Sequence, residues 1–373
     1  MTKRDDKRVP ALRFKGFTDE WEQRKFENLV SRLSKTSNNE SLPNVTYDDI
    51  KSKENSLNKD ITELTHGKKG IHFNKDDILF GKLRPYLGNI LLARFNGIAV
   101  GDFWVLSPKD NNISSFLFDL IQTSKYKYIS NLSSGSKMPR SDWNLVSKAS
   151  FWVPIQQEQN KIGKIFQLID NLVSLQQRKL KLLKLMKNIV SYNLVVSHKL
   201  ASNNEIKWKA VYLKDIARIY QPTTITKKDL LPKGIPVFGA NDYIGFYNKY
   251  NHETDQVTIC ARGASAGHPN YVKGPVWITG NSMVINVDET YINKKFLYTL
   301  LTFTDLKRFV TGGAQPQITR ENLNSLKILL PSIKAQNNLS AIIENLSINI
   351  RKVQLSINSA KRLKQFLLQN MFI

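Results

Sequence analysis

Two loops rich in small and basic residues carry the side chains best placed to do chemistry. Gly81-Lys-Leu-Arg-Pro-Tyr86 gathers Lys82, Arg84 and Tyr86, and Ala261-Arg-Gly-Ala-Ser-Ala-Gly-His268 gathers Arg262, Ser265 and His268. Small residues let a backbone come close to a phosphodiester chain, while Lys, Arg and His donate to phosphate oxygens or base edges. A second pair of loops is Ser134-Gly-Ser-Lys-Met-Pro-Arg140 and Thr311-Gly-Gly-Ala-Gln-Pro-Gln-Ile-Thr-Arg320. The first offers Lys137 and Arg140, suited to guanine; the second offers Gln315 and Gln317, suited to adenine by bidentate pairing, and Arg320. Tyr86 and Tyr243 add exposed aromatic surface. The chemistry expected here is DNA recognition. Any one of these residues could equally be an ordinary solvated loop residue, so the loops as sets carry the reading.

Catalytic patterns are missing. There is no Walker-type phosphate loop, no Asn-Pro-Pro-aromatic or Asp-Pro-Pro-aromatic tetrapeptide and no Phe-x-Gly-x-Gly. Asp305-Leu-Lys307 falls inside an expected helix and is too short a triplet to mark a nuclease. The five His and the single Cys have no zinc spacing. Trp21 and Trp208 are expected to anchor domain cores.

Composition agrees with a polyanionic partner. Lys and Arg number 55 against 31 Asp and Glu, a formal charge of +24. Cys260 alone rules out a disulfide framework and fits a reducing cytosol. No apolar run reaches the roughly 20 residues that span a bilayer. The charged start Met1–Arg8 is followed by no apolar signal core, so a cytoplasmic, non-membrane protein is expected.

The elements that must hold these loops come in two copies. Phe151-Trp-Val-Pro-Ile-Gln-Gln-Glu-Gln-Asn160 matches Ile328-Leu-Leu-Pro-Ser-Ile-Lys-Ala-Gln-Asn337, pairing Pro154 with Pro331 and Gln159 with Gln336 at an offset of 177 residues. Gly135 pairs with Gly312 and Pro139 with Pro316 at the same offset. Each copy reads as a variable domain, a short strand ending in proline, and a long helix.

After Pro331 a heptad seam runs through Leu339, Ile343, Leu346, Ile350, Val353, Ile357, Ala360, Lys364, Leu367 and Met371. The same steps in the first copy give Ile162, Phe166, Ile169, Val173, Gln176, Leu180, Leu183, Lys187, Val190 and Leu194, with Lys187 matching Lys364. A polar residue at a seam position fixes register and partner. Helix pairing is expected through Ile169, Val173, Leu180 and Leu183 against Leu346, Ile350, Val353 and Ile357. The first helix carries a second stripe, Ile165, Leu168, Leu172, Leu175, Leu182, Met186 and Ile189, which could serve a further protein or be core. Helices of ~40 residues span ~60 Å. Paired antiparallel, they would hold two globular domains apart about a pseudo-twofold axis, as suits half-sites ~34 Å apart.

The globular parts read as mixed α/β. Expected strands are Ile78–Phe80, Ile98–Leu106, Ser150–Val153, Val257–Cys260, Val276–Thr279, Met283–Val287 and Leu326–Leu330; expected helices are Ser114–Ser130 and Lys294–Val310.

At this point the chain resembles the specificity subunits of bacterial type I restriction–modification systems. The resemblance rests on Val9-Pro-Ala-Leu-Arg-Phe-Lys-Gly-Phe17 followed by Trp21, on the paired Pro154…Gln159-Asn160 and Pro331…Gln336-Asn337, on the Arg262 loop, and on Thr279-Gly-Asn-Ser282. It implies an α/β (α+β) fold with target-recognition domains at 1–154 and 201–331. The long helices at 155–200 and 332–373 would be spacers and docking sites. It implies a non-catalytic subunit that reads a split, asymmetric site on double-stranded DNA. Two modification subunits would carry S-adenosylmethionine and methylate adenine. Two restriction subunits would use ATP and Mg2+. No cofactor is expected on this chain. The alternatives are a stand-alone nuclease with fused recognition domains, for which no stretch of ~150 residues is left over, and a basic coiled-coil adaptor.

Overall fold

The computed structural model describes residues 9–132, 137–195, 207–313 and 315–373, with Leu194 and Val195 described by backbone alone. Met1–Arg8, Ser134, Gly135, Ala314, the seam side chain of Leu194 and the boundary at 200/201 lie outside the described residues. The chain forms two units: Met1–Gln177 with Leu355–Ile373, and Arg178–Gln354.

Eight α-helices are described: α1 Ser114–Leu120, α2 Ser124–Asn131, α3 Trp143–Lys148, α4 Gln156–Val195, α5 Leu213–Ile216, α6 Lys294–Phe303, α7 Arg320–Asn324 and α8 Ile333–Asn370. The long pair, α4 and α8, begins just after Pro154 and Pro331. Each runs without an internal proline, and Gly163 is the one glycine in either.

In the first unit, strands Val30–Leu33, Phe103–Pro108, Ile78–Gly81 and Ile90–Leu92 form an antiparallel sheet in that order. A second sheet orders Thr36–Ser37, Gly70–Phe73, Gly97–Ala99 and Asn44–Val45, the last pair parallel. Glu22–Lys25 pairs with Ser150–Val153 in a ribbon that leads into α4. The second unit repeats this plan. Its sheet runs Ala217–Tyr220, Ser282–Val287, Gln256–Cys260, Pro269–Val272. Its second sheet runs Tyr243–Tyr247, Ile235–Phe238, Trp277–Ile278, again with one parallel pair, and its ribbon joins Lys209–Tyr212 to Lys327–Leu330.

Three expected elements are corrected. Ile98–Leu106 is not one strand: the chain turns at Gly101, whose φ is +106°, so Gly97–Ala99 and Phe103–Pro108 enter different sheets. A positive φ at that turn suits glycine. Ser114–Ser130 is two helices, because Thr123 takes an extended conformation and accepts from the N–H of Tyr126 to cap α2. Lys294–Val310 stops as a helix at Phe303, with a separate 3-10 turn at Lys307–Phe309. Of the second sheets the sequence reading caught only Trp277–Ile278, inside the expected Val276–Thr279, and Gly97–Ala99, at the start of the expected Ile98–Leu106; the other strands, of two to five residues with polar flanks, give little alternation.

Each unit has its own core. In the first, Trp21, Phe26, Phe116, Tyr126, Phe151 and Phe166 are buried, with Trp21 edge-on to Phe116 at 6.3 Å between ring centres. In the second, Phe296, Leu297, Leu301 and Ile285 are buried, and Trp208 packs half-buried at the margin.

The seam of each long helix coincides with its shielded face. Leu339, Ile343, Val353, Ile357, Ala360, Leu367 and Met371 are buried, and Leu346 and Ile350 half-buried. On α4, Ile162, Phe166 and Ile169 are buried; Val173, Leu180, Leu183, Lys187 and Val190 are half-buried. Within the first unit Asp170 meets Lys364 and Phe166 meets Phe372, so α4 and α8 run antiparallel there. Of the second stripe, Leu168, Leu172, Leu175, Leu182, Met186 and Ile189 are exposed, and only Ile165 packs against the core.

Candidate nucleic-acid interface

In the first unit the loop after Ile78–Gly81 lies against the stretch around Arg140. Leu83 and Arg140 form an isolated bridge. The N–H of Arg84 donates to Pro139 O at 2.7 Å, that of Ser141 to Lys82 O at 2.9 Å, and that of Lys82 to Asp102 O at 2.9 Å. Arg84 takes a left-handed backbone conformation, φ 49°, that turns the chain into the short helix carrying Tyr86. Arg84, Tyr86, Lys137 and Arg140 are exposed, and Lys82 half-exposed.

Asp102 organises the cations. Its carboxylate takes Arg140 Nη2 at 3.0 Å and Lys82 Nζ at 3.5 Å. Burial acts to raise its pKa, but the hydrogen bond and charge of Arg140, helped by Lys82, hold it below the usual carboxylate value. Tyr47 braces the same loop: its hydroxyl donates to Asp102 O at 2.6 Å and accepts from the N–H of Leu83 at 3.1 Å. Burial pushes the Tyr47 hydroxyl up to about 12, so it stays a proton donor. Sequence reading missed Tyr47 and Asp102; they lie 36 and 19 residues from Leu83, beyond any local pattern.

The second unit builds the same frame from different side chains. Arg262 and Gln317 form the bridge. The N–H of Gly263 donates to Pro316 O at 2.8 Å, that of Ile318 to Ala261 O at 3.0 Å, and that of Ala261 to Asn281 O at 2.9 Å. Position by position, Arg84 gives way to Gly263, Lys82 to Ala261, Asp102 to Asn281 and Arg140 to Gln317. Gln317 is also tied to Thr311 by two backbone hydrogen bonds of 2.8 Å. Ser265 and His268 close the turn between Gln256–Cys260 and Pro269–Val272, the N–H of His268 donating to Ser265 O at 2.9 Å. Buried Cys260 donates through Sγ to Arg262 O, and burial raises its thiol pKa. Arg262, His268, Gln315, Gln317 and Arg320 are exposed. Arg320 opens α7 beside Glu321, outside the bridged pair.

Among the described residues no cluster of His, Cys, Asp and Glu is arranged to hold a metal ion, and no helix is long and apolar enough to cross a membrane.

Comparison with known proteins places this architecture. A family model described as the type I restriction modification DNA specificity domain matches twice, at residues 18–185 and 205–359. A Haemophilus influenzae protein named for type I restriction specificity is 29% identical over 155 residues, covering 40% of this chain and 39% of that protein. The Escherichia coli type I restriction enzyme EcoprrI specificity subunit is 29% identical over 109 residues, covering 29% of this chain and 27% of that protein. The matched stretches thus span well under two thirds of those two relatives. The crystal structure of the S subunit of an M. genitalium type I restriction–modification system shares the fold, with a TM-score of 0.68, 17% identity, and coverage of 98% of this chain and 99% of that one.

Proposed function

The chain belongs to the type I restriction–modification DNA specificity family, and on that premise we propose that its two domains each read one half of a split, asymmetric sequence in double-stranded DNA. The observation that carries this is the duplicated loop frame. Backbone hydrogen bonds repeat between units while the side chains they present change from Lys82, Arg84 and Arg140 to Arg262, His268 and Gln317. One scaffold with two sets of donors and acceptors suits two different base sequences. The charge of +24 supplies the phosphate attraction.

The chain contributes recognition and no catalysis. Two modification subunits, holding S-adenosylmethionine, methylate adenine, and two restriction subunits, using ATP and Mg2+, complete the assembly in the cytoplasm. The exposed leucines of α4, Leu168, Leu172, Leu175 and Leu182, supply apolar surface for a protein partner. The shielded seams supply the pairing of Leu180 and Leu183 with Leu346 and Ile350.

The test is genome-wide adenine methylation in a host without other methyltransferases, with this chain expressed beside its neighbouring modification gene and then omitted. A split, gapped motif that needs both genes is the expected result. An assembled complex that methylates no such motif would overturn the proposal in favour of a basic coiled-coil adaptor.

A further inference from the structure

Two buried glutamines, one per repeat, make three hydrogen bonds each, two of them the same in both repeats. Gln159 Oε1 accepts from the N–H of Ile113 at 3.0 Å, and its Nε2 donates to Pro154 O at 3.0 Å and Asn112 Oδ1 at 3.2 Å. Gln336 Oε1 accepts from the N–H of Asn293 at 2.9 Å, and its Nε2 donates to Pro331 O at 3.0 Å and Tyr291 O at 3.1 Å. Ile113 and Asn293 are the N-caps of α1 and α6, which pack inside the two recognition domains. Pro154 and Pro331 follow the ribbon strands. Each glutamine therefore ties a long helix to a ribbon and to the start of a domain helix. The joint needs an acceptor and a donor on one planar group, which an amide provides.

The surroundings of the two joints differ, which isolates the glutamine as their shared part. In the first unit Glu158 takes Arg13 through two bonds of 2.8 Å, and Gly163 lets α4 press on α1. In the second, the residue matching Gly163 is Ser340, whose hydroxyl donates to Asn293 Oδ1 at 3.1 Å, while Asn293 Nδ2 donates to Asn337 Oδ1 at 2.7 Å. Two different packings converge on the same pair of bonds, one accepted from the N-cap of a domain helix and one donated to the proline carbonyl.

We infer that Gln159 and Gln336 are positioning residues that set the angle of each recognition domain on its long helix, and through it the gap allowed between half-sites. The inference rests on the function proposed above. Neither glutamine belongs to the bridged loops, so the bases read are independent of them. A loosened joint widens the set of gaps a complex accepts and leaves the half-site bases alone.

The experiment uses the full chain in the methylating complex, with Gln159→Met and Gln336→Met made singly and methylated motifs mapped by sequencing. Sites whose gap differs by one base pair are expected to gain methylation by about tenfold, the scale of one or two lost hydrogen bonds, with both half-sites unchanged. Should Gln159→Met fail to accumulate, Gln159→Glu keeps the acceptor for Ile113 and turns an oxygen against Pro154 O, with the same readout. A glutamine that merely stabilises the fold lowers methylation at all sites in proportion and leaves the gap as it was; that result overturns the inference alone. No split motif from the unsubstituted chain overturns the functional reading and the inference with it.

Discussion

Lys364 Nζ donates to both carboxylate oxygens of Asp170, at 2.7 and 2.8 Å, at the one charged step in the seam of α8. The lysine is nearly buried, at 13% exposed, and the aspartate is 37% exposed. The repeat carries Lys187 at the same seam step, but the residue matching Asp170 is Ser347. The ion pair therefore belongs to the first unit, where the matching residues of the second carry no such carboxylate, and a polar feature of this kind favours one register over others.

Lys364→Met should destabilise the first unit by about 1–2 kcal/mol, a figure already reduced for the partial exposure of Asp170. Asp170→Asn should cost a similar amount, and the two together less than their sum. Urea unfolding followed by helix signal reads this. Strict additivity would show that the pair contributes nothing to helix register.

Asp119 on α1 is fully buried, and burial raises its carboxyl well above the ordinary value of 3.8; Lys364 opposes the shift and Asp170 adds to it. The folded chain thus keeps a proton that the unfolded chain releases above 3.8. Its stabilising effect is full below that value and is lost as pH rises through the raised pKa. Asp119→Asn should flatten the decline of stability with rising pH and raise the urea midpoint near neutrality. Parallel pH profiles for the two proteins would contradict this.

Gly163→Ala should cost about 1–3 kcal/mol, since the added methyl overpacks a closed contact. A Cβ at Gly163 would collide with Ser115 Oγ and stand 2.8 Å from the backbone N of Phe116, and the latter cannot rotate away. The thermal midpoint of the first transition should fall by several degrees. An unchanged midpoint would mean that α1 slides along α4 freely.

Arg140→Ala should weaken binding at one half-site by about 10- to 100-fold, the worth of one bidentate base contact, and leave the other half-site untouched. Asp102→Asn, which copies Asn281 of the second unit, releases Arg140 and Lys82 from their shared carboxylate. It should raise binding to unrelated DNA and narrow the preference for the target. Fluorescence anisotropy at several salt concentrations separates these effects, and equal losses on every sequence would assign Arg140 to phosphate alone.

The duplication, the two long helices and their shielded faces were legible in the amino-acid order. A helix repeats its side-chain direction every few residues, so local spacing alone dictates which face is apolar. The pairs Pro154 with Pro331 and Gln159 with Gln336 were visible as a repeat, and the loops holding Arg84, Arg140, Arg262 and Gln317 stood out by composition. What those pairs are for was decided only by the tertiary structure. Gln159 meets Ile113 across 46 residues, Asp102 meets Arg140 across 38, and Tyr47 meets Leu83 across 36. The break at Gly101, which sends Gly97–Ala99 and Phe103–Pro108 to separate sheets, likewise depends on partners far along the chain. Hydrogen bonds and ion pairs between distant residues leave no periodic trace in a sequence, because their partners meet only after the chain has closed around its cores.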